Sequence, residues 1–163
     1  MSSHELIDRT ARADFSKAAR IAFQRRVVSW LAGKDNSLLS FEEVHKEVPF
    51  KGRHDAGLQT VAINNIVGSM GSCRDFDRAF YPRKAEKLGR WISIDKAYYR
   101  QINLPPIELY KVGDNYFVVD GHHRVSVARA RGQVYIDAYV VEIETNDQSP
   151  ESAQQDCNDS LSA

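Results

Sequence analysis

The sequence feature that most constrains this chain is an apolar strand that runs into Asp-Gly and continues at once as a helix. Residues 116–119 read Tyr-Phe-Val-Val, Asp120 and Gly121 interrupt them, and a helical pattern follows from His122 to about residue 131. The first turn of a helix leaves backbone N–H groups unpaired and carries a partial positive charge. Such a turn binds anions readily, so this junction predicts a phosphate-binding site.

The five residues from Asp120 to Arg124 have side chains suited to phosphate chemistry. Gly121 lets the backbone approach a ligand, and Arg124 has a planar fork of donors that matches phosphate oxygens. His122 and His123 can donate a hydrogen bond, act as acid or base, or bind a metal. Asp120 can hold Mg²⁺, act as a base or cap the helix.

The same turn also has a purely structural interpretation. Asp-Gly is common between a strand and a helix, Asp120 can serve only as a cap, and Arg124 can pair with Glu108 or Asp137. Two adjacent histidines beside an aspartate and an arginine favour a functional site over a purely structural turn. The composition of the turn alone leaves both interpretations open.

Patterns elsewhere predict an α+β fold around this turn. Residues 58–63 alternate as a strand, residues 107–112 and 116–119 form a hairpin, and residues 135–143 form a last strand. A helix is expected between Pro82 and about residue 101, because Pro105 and Pro106 follow it.

The first 57 residues predict a helical extension before this domain. A helix is expected over residues 11–31 and ends before Gly33, and a second one follows at residues 41–47. Ser40 and Glu43 have the spacing of a capping box for the second helix. Residues 49–57, with two glycines, predict a loop. The apolar positions of the first helix predict one buried stripe: Phe15, Ala19, Phe23, Val27 and Trp30 with Leu31.

Charge is unevenly spread, although 22 Lys and Arg balance 22 Asp and Glu. Residues 145–163 contain four acids and no Lys or Arg, so the first 144 residues have a formal charge of +4. This acidic tail has little to bury and is expected to be disordered. The mildly basic remainder permits a nucleic acid partner, for which the basic side chains of the first helix are either an interface or a solvated face.

Cysteine usage and hydropathy favour a cytoplasmic protein without a membrane partner. No apolar run approaches the roughly 20 residues of a membrane span, and residues 1–10 lack the apolar core of a signal peptide. Cys73 and Cys157 form neither a disulfide framework nor metal-ligand spacing.

The order of elements and the Asp-Gly-His-His-Arg turn resemble the ParB/sulfiredoxin-like superfamily, which includes ParB N-terminal-like and ParB-like nuclease domains. The resemblance covers residues 58–144 and is strongest over residues 116–132. A second segment, residues 66–76, is similar to the family's first box, and Arg74 falls where an arginine of that box faces the phosphates, although the usual prolines are absent. The resemblance implies a small mixed sheet packed with helices, with residues 1–57 as an extension.

The resemblance implies that the turn binds a nucleotide such as ATP, ADP or CTP. Asp120 or Asp75 would hold Mg²⁺, and phosphoryl hydrolysis or transfer would use His122, His123 and Asp120. The residues that would hold the nucleotide are Gly121, His122, His123, Arg124 and, from the opposite loop, Arg74.

Members of this family differ in chemistry, and two alternatives stay open. His122 stands where sulfiredoxins have their cysteine, and no DNA-reading helix-turn-helix follows the module, so neither a sulfiredoxin nor a full partition protein is expected. One alternative is a nuclease that binds a metal through Asp120, His122 and His123. The other is a non-enzymatic module that senses a nucleotide and contacts DNA.

Overall fold

The computed structural model describes residues 2–145, which form an α+β fold with a six-stranded sheet and four α-helices. The helices are α1 (Ser3–Leu31), α2 (Phe41–Glu47), α3 (Leu88–Tyr99) and α4 (His122–Ala130), and the strands are β1 (Leu39–Ser40), β2 (Phe50–Ala62), β3 (Ile66–Ser69), β4 (Ile107–Val112), β5 (Asn115–Asp120) and β6 (Tyr135–Thr145). Except for Thr145, which ends β6, the predicted acidic tail lies outside the described residues.

The sheet is mixed, with the strand order β1-β3-β5-β4-β6-β2. β1, β3 and β5 are parallel neighbours, β4 is antiparallel to β5 and parallel to β6, and β2 is antiparallel to β6. Ser69 at the end of β3 is in register with Val118 near the end of β5. Because both strands run in the same direction, the segments that follow them meet at one edge of the sheet.

The loop predicted over residues 49–57 is wrong, because β2 already begins at Phe50 and pairs with β6 along its whole length. Two register shifts, between Phe50 and Gly52 and between Asp55 and Gly57, interrupt the ladder. Such bulges accommodate residues that would otherwise break a strand, and Gly57 has a φ of +70°. The boundary predicted between residues 57 and 58 therefore falls inside a strand.

The two N-terminal helices exist, but their capping differs from the prediction. α2 has the predicted bounds, yet the side chain of its N-cap Ser40 makes no capping hydrogen bond. A capping box occurs instead at α1, where Glu5 Oε2 accepts from the Ser2 N–H at 2.8 Å and Ser2 Oγ accepts from the Glu5 N–H at 3.4 Å. α1 consequently starts eight residues before the predicted position.

The apolar stripe predicted to be buried along α1 is mostly exposed. The buried face is formed by Ala11, Phe15, Ala18 and Ala22. Phe23 is 56% exposed and Trp30 77% exposed, because 100° per residue carries them away from that face. Phe15 packs against Trp91 of α3 with ring centroids 5.5 Å apart, so α3 determines which face of α1 is buried.

α4 lies between the sheet and the pair α1 and α3. Val125 and Ala128 belong to the core on the sheet, whereas Val127 packs with Trp91 and Phe15. Trp91 Nε1 donates to Ser126 Oγ at 2.9 Å, and both groups are buried. The helix that starts at His122 is therefore fixed from two sides. α3 itself starts at residue 88, later than expected after Pro82, because a short 3₁₀ turn, Ala85–Lys87, precedes it.

A membrane-spanning helix is absent from residues 2–145, since none of their helices combines the necessary length and hydropathy.

Candidate functional site

The turn from Asp120 to Arg124 lies where β3 and β5 end side by side, and it forms one wall of a cleft of about 310 Å³. The segment after β3, the first half of α3 and the segment before β4 form the other walls. Besides the turn, the lining residues are Ser72, Asp75, Phe76, Lys87, Arg90, Ile94, Leu104 and Pro105. The carboxyl ends of parallel strands are a common location for ligand sites in α/β sheets.

Gly121 starts α4 in a conformation that only glycine adopts easily. Its φ is +100°, and an added Cβ would lie 2.5 Å from Ile107 Cγ2. Gly121 is the N-cap and no side chain caps the helix, so Asp120 does not act as the cap considered above. The N–H groups of the first turn of α4 are therefore left for a ligand or solvent.

His122 is fixed by Ser69 and Phe76. Its Nε2 lies 2.6 Å from Ser69 Oγ, and its ring is stacked on Phe76 with centroids 6.3 Å apart. Burial lowers the pKa of His122, although the Asp120 charge and a hydrogen bond with the Val118 carbonyl oppose this shift. His122 is therefore an oriented, neutral ring near pH 7.

His123 contacts the same phenyl ring from another side. Its ring meets Phe76 edge to face, with centroids 5.2 Å apart and an angle of 74°. Within residues 2–145 its Nδ1 is buried and has no hydrogen-bond partner. Burial, followed by the charges of Arg90 and Lys87, lowers the pKa of His123 to about 4. The imidazole of His123 is therefore neutral near pH 7, and its buried Nδ1 has no partner among the described residues.

Arg124 mainly holds the turn together. Its Nη1 donates to the carbonyl of Pro106 at 2.8 Å and to that of Pro105 at 2.5 Å, and its Nη2 contacts Asp120 Oδ2 at 2.5 Å. The pairing that sequence suggested with Glu108 or Asp137 does not occur. The Asp120 side chain is 67% exposed, so its carboxylate stays accessible to a ligand despite this ion pair.

The cations that face the turn come from the start of α3 and the 3₁₀ turn before it, rather than from the loop directly after β3. Arg74 is exposed and is not among the residues that line the cleft. Lys87 and Arg90 do line it, and within the described residues Arg90 makes no ion pair or hydrogen bond. Sequence reasoning missed both: Lys87 ends the 3₁₀ turn and Arg90 lies in the first turn of α3.

Asp75 lines the opposite side of the cleft and is held by two lysines. Lys84 Nζ lies 3.1 Å and Lys87 Nζ 3.4 Å from its carboxylate oxygens. Burial opposes the shift, but the two lysines lower the pKa of Asp75. Asp75 is therefore ionised near pH 7, as a candidate ligand for a cation must be.

No group of three or more His, Cys, Asp or Glu side chains in the described part of the chain is arranged to hold a metal ion. Asp75 and Asp120 could each offer a carboxylate oxygen to a Mg²⁺ ion whose other ligands are phosphate and water. The nuclease hypothesis needs Asp120, His122 and His123 to bind one metal ion, and within residues 2–145 these three side chains are not arranged to do so.

Comparison with known proteins adds no family to this description. The chain matches no model of a protein family, and no curated protein matches it. The residues that line the cleft are therefore the basis for a functional assignment.

Proposed function

We propose that this chain is a nucleotide-binding domain of the ParB/sulfiredoxin-like type, and that the cleft at residues 120–124 holds the phosphate groups. One observation carries the proposal: the first turn of α4, which has no side-chain cap, faces the same cleft as Arg90, which has no partner within residues 2–145. The succession of β3, its following loop, the β4–β5 hairpin, the Asp-Gly-His-His-Arg turn and α4 supports the family assignment.

The phosphates bind at the first turn of α4. The N–H groups there and the helix dipole favour an anion, and the missing side chain of Gly121 allows close approach. Arg90 adds a fork of donors from the opposite wall, and Lys87 adds a point charge. Three cationic side chains and two carboxylates line the cleft. The cations outnumber the carboxylates, so the lining attracts a phosphate group.

Phosphoryl transfer or hydrolysis is the proposed reaction. Catalysis of this kind consists mainly of positioning and charge neutralisation. The exposed carboxylate of Asp120 would hold Mg²⁺ beside the phosphates, where the ion neutralises their charge. The neutral ring of His123 accepts a proton from the attacking hydroxyl or water. With a nucleotide as ligand, the proposed location is the cytoplasm.

Binding is tested by thermal shift with ATP, ADP, CTP and GTP, each with Mg²⁺. We expect one of them to raise the melting temperature of the wild type and to raise it clearly less in Arg90→Gln. Arg53→Gln, an exposed site on β2, is the matched control and should keep the effect. Arg124→Ala is less useful because it also removes the bonds to Pro105 and Pro106. No shift with any nucleotide would refute the proposal.

Turnover is tested separately, with the nucleotide that binds. We expect phosphate release that falls by about 10²–10⁴-fold in His123→Gln while binding is retained, since a general base contributes about that factor. Binding without any release by the wild type would remove the reaction from the proposal and leave a non-enzymatic nucleotide sensor.

A further inference from the structure

The C-terminal part of α1 presents an exposed apolar face that no other described element covers. We call residues 23–31 the α1 tip. Its large apolar side chains are 38–77% exposed: Phe23, Val27, Val28, Trp30 and Leu31. Four of them, at positions 23, 27, 30 and 31, lie within about 100° of the helix circumference. Exposed apolar patches of this kind mark interaction sites.

A groove of about 220 Å³ continues this face beside Phe23. Its apolar floor is formed by Phe15, Ala19, Ala22, Phe23, Pro82 and Ala85. Its polar rim is entirely basic, since the remaining lining residues are Arg26, Arg83 and Lys84. The Arg26 guanidinium lies 5.4 Å from the centre of the Phe23 ring, so positive charge borders the apolar surface directly.

The charges of α1 around this apolar face are also predominantly positive. Residues 17–34 contain five Lys and Arg and not one Asp or Glu. The nearest acid in contact with this part of α1 is Asp77, which is buried. One oxygen of its carboxylate accepts from Arg25 at 3.0 Å, and the other accepts from two backbone N–H groups. Lys84 at the rim is paired with Asp75 at 3.1 Å, whereas Arg26 and Arg83 make no ion pair within the described residues. The surface thus offers a partner an apolar face and the positive charge of Arg26 and Arg83.

We propose that the α1 tip and its groove dock an acidic amphipathic helix of another protein. An apolar side chain of that helix enters the groove, and its carboxylates meet Arg26 and Arg83. The acidic helix is complementary to the groove in charge as well as in shape. Complementary charge gives specificity and speeds association of the two proteins. The groove and the nucleotide cleft share no lining residue, and the ion pair between Lys84 and Asp75 connects their edges.

Other occupants fit this surface less well. A second copy of α1 would bring cations against cations, because residues 17–34 contain no acid. Duplex DNA would match the charge, but its bases are already stacked on one another and would gain little from the exposed Trp30 and Leu31. The concave groove suits a side chain better than it suits a flat anionic lipid surface.

Trp30 provides the readout, because the only other tryptophan, Trp91, is fully buried. Two synthetic amphipathic peptides with the same leucines, one with Glu and one with Lys at the polar positions, are titrated into the full chain. We expect the Glu peptide alone to shift the Trp30 emission to the blue. Its dissociation constant should rise at least about tenfold between low and high salt.

Two variants and one control locate the binding site. Val27→Gln should weaken binding of the Glu peptide about tenfold, and Arg26→Gln with Arg83→Gln should reduce its salt dependence. Val134→Gln, at an exposed apolar position outside the α1 tip, should change neither the affinity for the Glu peptide nor its salt dependence. Equal binding of the two peptides, or none, would overturn the proposal.

The same titration identifies the other occupants, and each would also overturn the proposal. A blue shift on raising the protein concentration alone would indicate a second copy. A red shift on neutralising the four acids of residues 146–163 would indicate the chain's own acidic segment. A response only to phosphatidylserine vesicles or to duplex DNA would indicate a lipid surface or a nucleic acid.

Discussion

The hydroxyl of Ser69 lies 2.6 Å from Nε2 of His122 and connects the end of β3 to the start of α4. Ser69 is fully buried, and its oxygen also accepts the Ser72 N–H at 3.1 Å. One side chain therefore orients a candidate histidine and shapes the loop that faces it across the cleft.

Ser69→Ala should lower the free energy of unfolding by about 1–3 kcal/mol, because it leaves buried polar groups without a partner. Urea denaturation measures this loss. The control is Ser93→Ala, whose exposed hydroxyl bonds only the Gly89 carbonyl, and which should change stability by less than about 0.5 kcal/mol. Similar losses in the two variants would contradict a special role for the bond to His122.

Gly121→Ala should destabilise the protein much more than Gly113→Ala. Both glycines have positive φ, which costs a residue with a Cβ about 1–2 kcal/mol. At Gly121 the new Cβ would also collide with Ile107, which adds about 1–3 kcal/mol, whereas nothing lies within 4 Å of it at Gly113. Chemical denaturation of the two variants checks this order, and a larger effect at Gly113 would be inconsistent with the packing.

Acid should weaken the fold through His123. Burial first, and then Arg90 and Lys87, lower its pKa to about 4 from 6.5, so the unfolded chain takes up a proton at higher pH than the folded one. The stability that the neutral ring contributes is full above pH 6.5 and is lost as the pH falls towards 4. In urea denaturation, His123→Phe should lose less stability than the wild type over this range. Equal losses of stability in the wild type and in His123→Phe between pH 6.5 and 4 would show that the ring does not titrate in this way.

Asp95 and Arg131 form an ion pair whose two members should respond differently to substitution. Asp95 is fully buried, its Oδ1 accepts from Arg131 at 2.8 Å, and burial raises its pKa. Arg131→Ala should cost about 3–5 kcal/mol, because it leaves the buried carboxyl unpaired. Asp95→Asn should cost less than about 1 kcal/mol, since its amide oxygen still accepts from Arg131 and no charge is buried. Thermal denaturation of both variants measures the two losses of stability. A larger loss in Asp95→Asn than in Arg131→Ala would contradict the prediction.

Arg90, and not Arg74, should contribute to nucleotide affinity. Arg90 lines the cleft and has no partner in the described part of the chain, whereas Arg74 is exposed outside the cleft. Arg90→Ala should weaken binding of the nucleotide with Mg²⁺ by about tenfold or more, which corresponds to losing one charged hydrogen bond. Arg74→Ala should leave it within about twofold. Calorimetric titration compares them, and a dominant effect at Arg74 would favour the assignment drawn from the family resemblance.

The elements that sequence predicts well are those whose signals are local. The strand before Asp120, the turn at Gly121 and the helix from His122 follow from the alternation of apolar residues and from turn residues a few positions apart. The predicted strand at residues 107–112 is confirmed for the same reason. β2 was missed because Gly52 and Gly57 indicate a loop locally, and only pairing with β6 makes them part of a strand.

The parts of the site that escaped prediction depend on contacts between distant segments. Arg90 reaches the turn because Trp91 packs α3 beside α4, which no nearby residue indicates. The partners of Arg124, the carbonyls of Pro105 and Pro106, lie 19 and 18 residues earlier in the chain. Likewise, α1 has two apolar stripes, and the choice between them depends on what α3 presents to Phe15.

The place of β6 in the sheet has a consequence for how the chain folds as it is made. β6 lies between β4 and β2, and it joins Thr145 to Phe50 and Val140 to Leu109. Until the ribosome has released residues 135–145, both neighbours have an unpaired edge, and pairing that spans such long loops forms slowly. Nascent chains that stop before Tyr135 should therefore depend on chaperones, and closure of the sheet should be the late step in folding.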